Sequence, residues 1–590
     1  MKEMSTERRV ALAFALWILI MVGWSYVWKP SRPAVPPAIR PTTPASSASS
    51  PEQKLATEKP AAAPTASAAK TKMESAQAPA PKSAALEKTL VIENGHYRVE
   101  ISNRGGVVKS WRLKNYTDHK DQALELVNAE AARQVGAWPF SLAMDDAALE
   151  AQVNAALFEM TPSEGTLHAP AEIAFEWSDG HAQVTKRLKF DASYVIAVET
   201  SVVVDGKPLA HGVAWRGGFG DATEFAHADQ VKVLFHENQK LQVLEAKKLG
   251  VPDHADLRLR QIGTMDYAGI EDRYFSAAFL PRSENPALWN AGMTLWHWRL
   301  EREVGEGDKR SREAVVEMAA GTTVAGPVAF RVYVGPKALD DLRAQKPPLN
   351  DLVQFGWLSF IAEPLFYFLR WIHGYVPDYG WAIILMTIAI NMALFPLKVK
   401  SWRSMQKMQR VMPEIKQIQD RFKKYTMRDP RRQEMNTEVM AVYKREGINP
   451  MGSCLPMLLQ MPIWIALFSM LGAAIELRHA PWHGSWIHDL STHDPLYILP
   501  VLMTLTMYAS QKMTPATSAD PAQQKMMQMM PLIFGFLFFR TSSGLTLYIL
   551  SSNIVAMGQQ WYLNKTTPPA IVTEEKKGGK KPGGGTKEQN

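Results

Sequence analysis

Three kinds of hydrophobic patterning succeed one another along this chain, and each predicts a different structure. Residues 10–28 are an unbroken apolar run behind Lys2, Arg8 and Arg9. At about 1.5 Å per residue, such a run covers a hydrocarbon core. It ends in Trp24, Tyr26 and Trp28, as an interfacial aromatic belt does, whereas a cleaved signal has a shorter apolar region and a small-residue cleavage site. Residues 1–28 therefore read as an uncleaved anchor with its N-terminus inside. Residues 29–87 are dominated by Pro, Ala, Ser and Thr. They cannot bury enough apolar surface to offset their ordering entropy, which predicts a disordered tether.

From 88 to 345 the period is two. Tyr97, Val99 and Ile101 alternate with Arg98 and Glu100, and a turn at 103–106 leads into Val107, Val108, Trp111 and Leu113. A second hairpin pattern covers 184–190 and 194–204 around a turn at 191–193. Repeated short strands with Gly, Asp and Asn turns predict an all-β sandwich. A short helix at 339–343 completes it.

Helical spacing takes over at 356–375, where Trp357, Phe360, Ile361, Leu365, Phe368 and Ile372 recur around Glu363 and Arg370. Each charge would cost about 2.5–3.5 kcal/mol at a bilayer centre. The segment is therefore expected to lie in the outer interface, as a stiff joint between the β domain and span two. Five more apolar segments cover 380–397, 454–471, 496–511, 526–539 and 545–562. The expected architecture is a polytopic α-helical membrane core of six spans, five of them forming a bundle, plus the large β domain.

Charge orients this plan. The loop 398–449 holds fourteen Lys/Arg against six Asp/Glu, a net +8 that equals the formal charge of the whole chain. Positive charge this dense beside a span marks the cytoplasmic side and suits an anionic partner such as a ribosome or lipid headgroups. Met408, Val411, Ile415, Ile418 and Phe422 keep a 3-4 spacing, as do Met435, Val439 and Val442 beyond Asp429-Pro430. That predicts two antiparallel helices rather than a loop serving topology alone. Their outer faces would present Arg403, Lys407, Arg410, Lys416, Arg421, Lys423, Lys424, Arg428, Arg431 and Arg432. Glu476, Arg478, Asp489 and Asp494 give the next loop a net −2, outside, and the basic tail 563–590 carries a net +3, inside.

Composition narrows the chemistry. Mean hydropathy is −0.17, the average of a polar portion and a membrane portion. The single cysteine, Cys454, excludes an intramolecular disulfide and a cysteine-based zinc site. The chain holds no nucleophile motif, phosphate loop or metal-ligand spacing. Glu224, His227 and Asp229 lie close together, but no second cluster answers them, so they read as a solvated loop and the β domain as a binding or docking module. No enzyme activity and no cofactor are expected.

Polar residues inside spans are costly unless they face protein or water. Thr387 and Asn391 share a face of span two; Gln460, Thr504 and Gln528 sit in spans three, four and five. Span six carries Ser551, Ser552, Asn553, Gln559 and Gln560. Interhelical hydrogen bonding accounts for any one of them, and together they favour a polar cavity. A secondary transporter would show inverted repeats and broken helices, which are not found in the sequence. A membrane-anchored sugar-binding protein would leave the basic hairpin and the polar spans unexplained.

Asn449-Pro450-Met451-Gly452, followed by Pro456-Met457-Leu458-Leu459-Gln460-Met461-Pro462-Ile463, resembles the signature of the YidC membrane protein insertases of bacteria and their Oxa-type and Albino-type relatives. Glu476-Leu477-Arg478, Trp486 to Leu490, Asp494 to Pro500 and Ser543-Gly544-Leu545 extend the match. The resemblance covers the chain except the tether and tail, and is most specific over 357–560. It implies an inner-membrane insertase and chaperone of a Gram-negative bacterium, with a periplasmic β domain and a hydrophilic groove open to cytoplasm and lipid. The groove would involve Thr387, Asn391, Gln460, Met461, Pro462, Thr504, Gln528, Tyr548 and Asn553. Implied partners are nascent membrane proteins, the ribosome, the Sec translocon with its accessory subunits, and anionic lipids. No cofactor and no specific nucleic-acid sequence are implied, and Lys576, Lys577, Lys580 and Lys581 would assist docking. One position departs from the family. Five residues before Pro396, where relatives place a groove arginine, this chain has Asn391, and Arg540 lies too far outward to replace it. The expectation is a groove that solvates its substrates without pulling on them electrostatically.

Overall fold

The computed structural model describes residues 80–118, 120–221, 231–249, 259–282, 292–304, 311–425, 429–448, 455–483, 486–514 and 521–566. The expected anchor, the tether up to residue 79, Glu224, His227, Asp229, Arg428, the segment 449–452, Cys454 and the tail beyond 566 lie outside the described residues.

The two-residue period becomes strands that bury alternate side chains. In Tyr97–Ser102, Tyr97, Val99 and Ile101 are buried while Arg98 is exposed. The turn after this strand requires glycine: Gly105 has φ +71°, and a Cβ there would meet the Asn154 carbonyl oxygen at 2.4 Å. Ala182–Phe190 and Val195–Val204 form the second hairpin, pairing Phe190 with Ile196. Among the described residues, three sheets of five, ten and five strands result. Residues from all three, among them Ile92, Phe175, Val198, Leu295 and Met318, meet in one core. Helices α1 (Ala129–Val135) and α2 (Ala147–Ala155) cover loops between strands, each N-capped by a side chain, Asn128 and Asp146. The packed domain begins earlier than residue 88. Lys82 donates its N–H to the Ser178 carbonyl (2.8 Å), and Glu87 accepts from Arg104 (2.7 Å).

Helix α3 (Leu339–Arg343) closes the β domain and α4 (Ser359–His373) comes next. The helical region continues with α5 (Tyr379–Ala393), α6 (Phe395–Phe422), α7 (Arg431–Arg445), α8 (Leu455–Ala473), α9 (Ile498–Met513), α10 (Pro521–Leu537) and α11 (Ser543–Thr566). Among the described residues, no single helix is long and apolar enough to cross a membrane alone; α5 and α6 together pass that test across a 54° bend. The bend falls at Leu394, where Pro396 has no N–H to continue the ladder. Shorter apolar stretches run Gln460–Ala473 and Lys525–Leu537.

Helix α4 and its flanks carry two apolar stripes that share Ile372, and one of them is buried. Leu358, Ala362, Phe366, Leu369 and Ile372 are buried, while Trp357, Phe360, Trp371 and Tyr375 are exposed. Both stripes are apolar, so periodicity alone does not choose between them. The mid-helix charges are neutralised by α3: Arg370 pairs with Asp340 at 2.8 Å, and Glu363 pairs with Arg343. The Arg370 guanidinium holds the Asp340 carboxyl below its usual range.

The β domain and the helical region interlock. Arg478, in the loop after α8, donates to Asp221 (2.8 Å) and to the Thr117 carbonyl (2.8 Å). Arg273 donates to the Gly472 carbonyl at the end of α8 (2.8 Å). Ile475 joins the core of the β domain, and Leu339 joins that of the helices.

Candidate functional site

Around α11 the helices form an apolar core near the loop 474–497 and, near the α5–α6 bend, a cavity whose largely apolar lining carries several polar groups. The loop between α8 and α9 closes its end of the bundle: Leu477, Ile487 and Leu490 are fully buried among the helices. Trp482 lies against Gly380 so closely that a Cβ there would come within 2.1 Å of its ring. Asp494 anchors the turn into α9, accepting from the Trp486 indole (2.8 Å) and from the N–H of Leu499 (2.7 Å). The first turn of α11 is held by Ser543 N–H to the Thr492 carbonyl and Gly544 N–H to the Leu490 carbonyl. Burial raises the Glu476 carboxyl above its usual range.

At the other end lies a cavity of about 340 Å³, lined by Lys398, Gln460, Trp464, Tyr548, Ile549, Ser552, Asn553 and Ala556. The Gln460 amide donates to the Tyr548 hydroxyl (3.3 Å). Asn391 is 1% exposed; its amide donates to the Thr387 carbonyl (2.9 Å) and the Ser552 hydroxyl (3.3 Å). Its oxygen accepts from the Lys398 ammonium (2.7 Å), which also donates to Gln559 (3.0 Å). Gln559 in turn donates to the Asn391 carbonyl (3.1 Å). These bonds tie the α5–α6 bend to α11.

The predicted groove residues thus divide. Asn391, Gln460, Tyr548 and Asn553 come together at or beside the cavity, with Ser552 and Gln559. Thr387 is fully buried behind Asn391 and donates to its own helix at Ile383. Thr504 likewise donates to the Pro500 carbonyl (2.8 Å) and packs against Gly535 of α10. Met461 is exposed and Pro462 half-buried on α8. Gln528 is exposed on α10 and outside the cavity lining. Arg540 is exposed beyond the end of α10. In the sequence pattern Lys398 stands only as the first charge of the basic loop. Its position seven residues beyond Asn391, about two helical turns, was the available signal.

The hairpin of α6 and α7 packs along Met408, Val411, Ile415, Ile418 and Val442, with Met435, Val439 and Phe422 against them. Arg403, Lys407, Arg410, Lys416, Lys423 and Lys424 make no ion pair among the described residues. Arg421 pairs with Glu438 (2.5 Å), Arg431 with Asp429 (3.3 Å), and Arg432 donates to the Tyr425 carbonyl. Among the described residues no group of His, Cys, Asp and Glu is placed to hold a metal ion.

Comparison with known proteins covers both parts of the chain. Residues 89–368 match the family described as YidC periplasmic domain, and residues 371–570 the family described as 60Kd inner membrane protein. A curated relative from Syntrophus aciditrophicus, named membrane protein insertase YidC, is 32% identical over 498 residues, covering 81% of this chain and 85% of its own. A relative of the same name from Campylobacter jejuni is 46% identical over 233 residues, 40% of this chain and 43% of its own. A solved structure described as an active YidC insertase aligns over 82% of this chain and 94% of that one, at 17% identity and a TM-score of 0.34.

Proposed function

Because the chain belongs to the YidC family of inner-membrane protein insertases, we propose that it moves substrate segments through the cavity beside α11, alone or with the Sec translocon. The observation that carries this reading is the convergence of Gln460, Tyr548, Ser552, Asn553 and Lys398 on one cavity among otherwise apolar helices. A substrate's polar segment leaving water for hydrocarbon loses several kcal/mol per unsatisfied group. Amide and hydroxyl groups in the cavity replace part of that hydration and shorten the apolar path. The buried plug of Leu477, Ile487 and Leu490 supports closure on the outer side and opening toward the cytoplasm and lipid. The substrate's apolar helix then moves along the exposed faces of α8 and α10, past Met461, Phe468, Leu532 and Phe536, into lipid. Its own burial drives that step, and no cofactor is involved.

In this reading the chain crosses the inner membrane six times, with the anchor, the helices α5 and α8–α11 as spans, both termini cytoplasmic and the β domain periplasmic. Helix α4 lies in the outer interface, its exposed Phe360 and Trp371 and the preceding Trp357 toward lipid. The cations along α6 receive the ribosome or anionic lipid, and the β domain serves as a docking module. The test is insertion of a small single-span protein into liposomes holding the purified chain, read by protease protection of its translocated tail. Insertion well above protein-free liposomes, falling on Ser552→Leu or Asn553→Leu, supports the reading. Insertion indifferent to both substitutions contradicts a cavity path.

A further inference from the structure

The loop between α8 and α9 holds a carboxylate oxygen that is buried and, among the described residues, accepts no hydrogen bond: Oδ2 of Asp489. The other oxygen accepts the Ser491 N–H (2.7 Å). His479 faces Oδ2, with its Nε2 at 3.9 Å. That is too long for a hydrogen bond. The opposite ring nitrogen, Nδ1, lies 2.8 Å from the hydroxyl of Thr117, which ends the strand Val107–Thr117 of the β domain. One imidazole therefore stands between the β domain and the loop. A neutral ring has one N–H and can donate to one side. The imidazolium donates to both, and it brings the positive charge that the buried carboxylate lacks.

Asp489 is joined directly to the part of the loop that closes the bundle. The next residue, Leu490, donates its N–H to the Ala480 carbonyl (3.0 Å) and accepts from the Gly544 N–H in the first turn of α11 (2.8 Å). Drawing Asp489 toward His479 thus tightens the loop onto α11. The other charged groups here have partners or face elsewhere. Arg478 is committed to Asp221 and the Thr117 carbonyl. Glu476 interacts with Arg370 and Asp340, and Asp494 accepts from Trp486 and Leu499. On the β-domain side, Asp118 accepts from the N–H groups of Lys120 and Gln122, and Lys120 is exposed. His483 and His488 are exposed, His483 against the Trp482 ring. The first turn of α11, Ser543 to Thr546, carries no charge.

We propose that His479 is an acid-operated clamp: on protonation it bridges Thr117 and Asp489 and fastens the loop between α8 and α9 to the β domain. The purpose of the clamp rests on the reading that this loop closes the cavity on the periplasmic side. In that orientation it tightens as the outside acidifies, when the inward proton gradient is steepest and a leak beside α11 does most harm. The imidazolium gains the Asp489 carboxylate only in the clamped state. Its contribution is therefore complete at low pH and is lost as pH rises through the range in which histidine gives up its proton.

The test is backbone hydrogen exchange of the full-length protein in liposomes at about pH 5.5 and about pH 7.5, either side of the histidine range. Mass spectrometry follows the peptides that contain Leu490 and Gly544, with each rate corrected for intrinsic exchange at its pH. In the unmodified protein these two amides are expected to be about tenfold better protected at the acid pH, the scale of one charge-assisted hydrogen bond. His479→Gln and Asp489→Asn should each give equal protection at both pH values. His479→Arg, a cation at both, should give the higher protection at both, which a merely structural contribution of the imidazole does not predict. His488→Gln, on the same loop, should keep the pH response. A response that survives His479→Gln, or protection that falls on acidification, overturns the proposal. So does His479→Arg protecting no better than His479→Gln. Exchange is read without any substrate, so these outcomes bear on the clamp alone. Insertion indifferent to Ser552→Leu and Asn553→Leu would instead remove the cavity reading that gives the clamp its purpose.

Discussion

Removing either partner of the Arg478–Asp221 ion pair should uncouple the β domain from the loop between α8 and α9. The two side chains are 2% and 4% exposed and meet at 2.8 Å. The guanidinium also donates to the Thr117 carbonyl (2.8 Å) and lies 5.5 Å from the Phe275 ring centre. Asp221→Leu therefore strands a guanidinium in a site with almost no water, and Arg478→Met takes the buried guanidinium away from the Asp221 carboxylate. Breaking a buried pair from one side costs about 3–5 kcal/mol, because the remaining charge stays desolvated and uncompensated. For a domain of this size that is a fall in unfolding midpoint of roughly 10 °C. The double variant removes both charges of the pair, so its loss should be smaller than the sum of the single losses and close to that of one. The assay is thermal unfolding of the purified full chain in detergent for the four proteins, monitored by tryptophan emission. Single losses that add to the double loss within about 0.5 kcal/mol would refute the reasoning, since independent sites behave that way.

Lys186, fully buried, donates to the carbonyls of Gly105 (2.6 Å) and Phe140 (2.9 Å), and burial lowers its pKa from 10.5 to about 7. Between those two pH values the unfolded chain binds the extra proton. Stability should therefore rise with pH across that window, by up to about 5 kcal/mol, and Lys186→Met should flatten the rise in pH-dependent melting. The exposed Phe360 and Trp371 of α4, with Trp357 just before it, should sit at interfacial depth. Brominated lipids should quench emission from Trp357 and Trp371 in liposomes, and replacing both tryptophans by serine should remove that component. A Cβ on Gly535 would fall 2.2 Å from the Thr504 hydroxyl. Gly535→Ala should therefore lower the melting temperature by pushing α9 from α10, and a second change, Thr504→Ala, should restore most of it.

The β domain was legible because alternation is a local signal: Tyr97, Val99 and Ile101 carry it in consecutive odd positions and all three are buried. The hairpin was legible for the same reason, with Met408, Val411, Ile415 and Ile418 forming one narrow stripe against a charged background. Helix α4 was half legible. Its existence is implied by spacing, but Phe360 and Phe366 are equally apolar, and only the partners Leu467 and Met470 of the helical core decide which faces in. What periodicity could not supply is pairing between distant residues. Lys398 reaches Gln559 across 161 positions, and Arg478 reaches Asp221 across 257. Polarity within a span located Gln460 and Asn553, but not whether they face one cavity. Gln528 carries the same signal and is exposed on α10.

Photocrosslinking from Gln460, Tyr548 and Asn553 to a ribosome-stalled nascent membrane protein tests the cavity as substrate path most directly. Leu505 on α9, exposed away from the cavity lining, serves as the lipid-facing control in the same helical region. The account predicts strong adducts from the three cavity positions and weaker ones from Leu505. Adducts confined to hairpin positions such as Lys407 and Lys416, with none from the cavity, would contradict it and leave the chain as a docking factor that passes its substrates elsewhere.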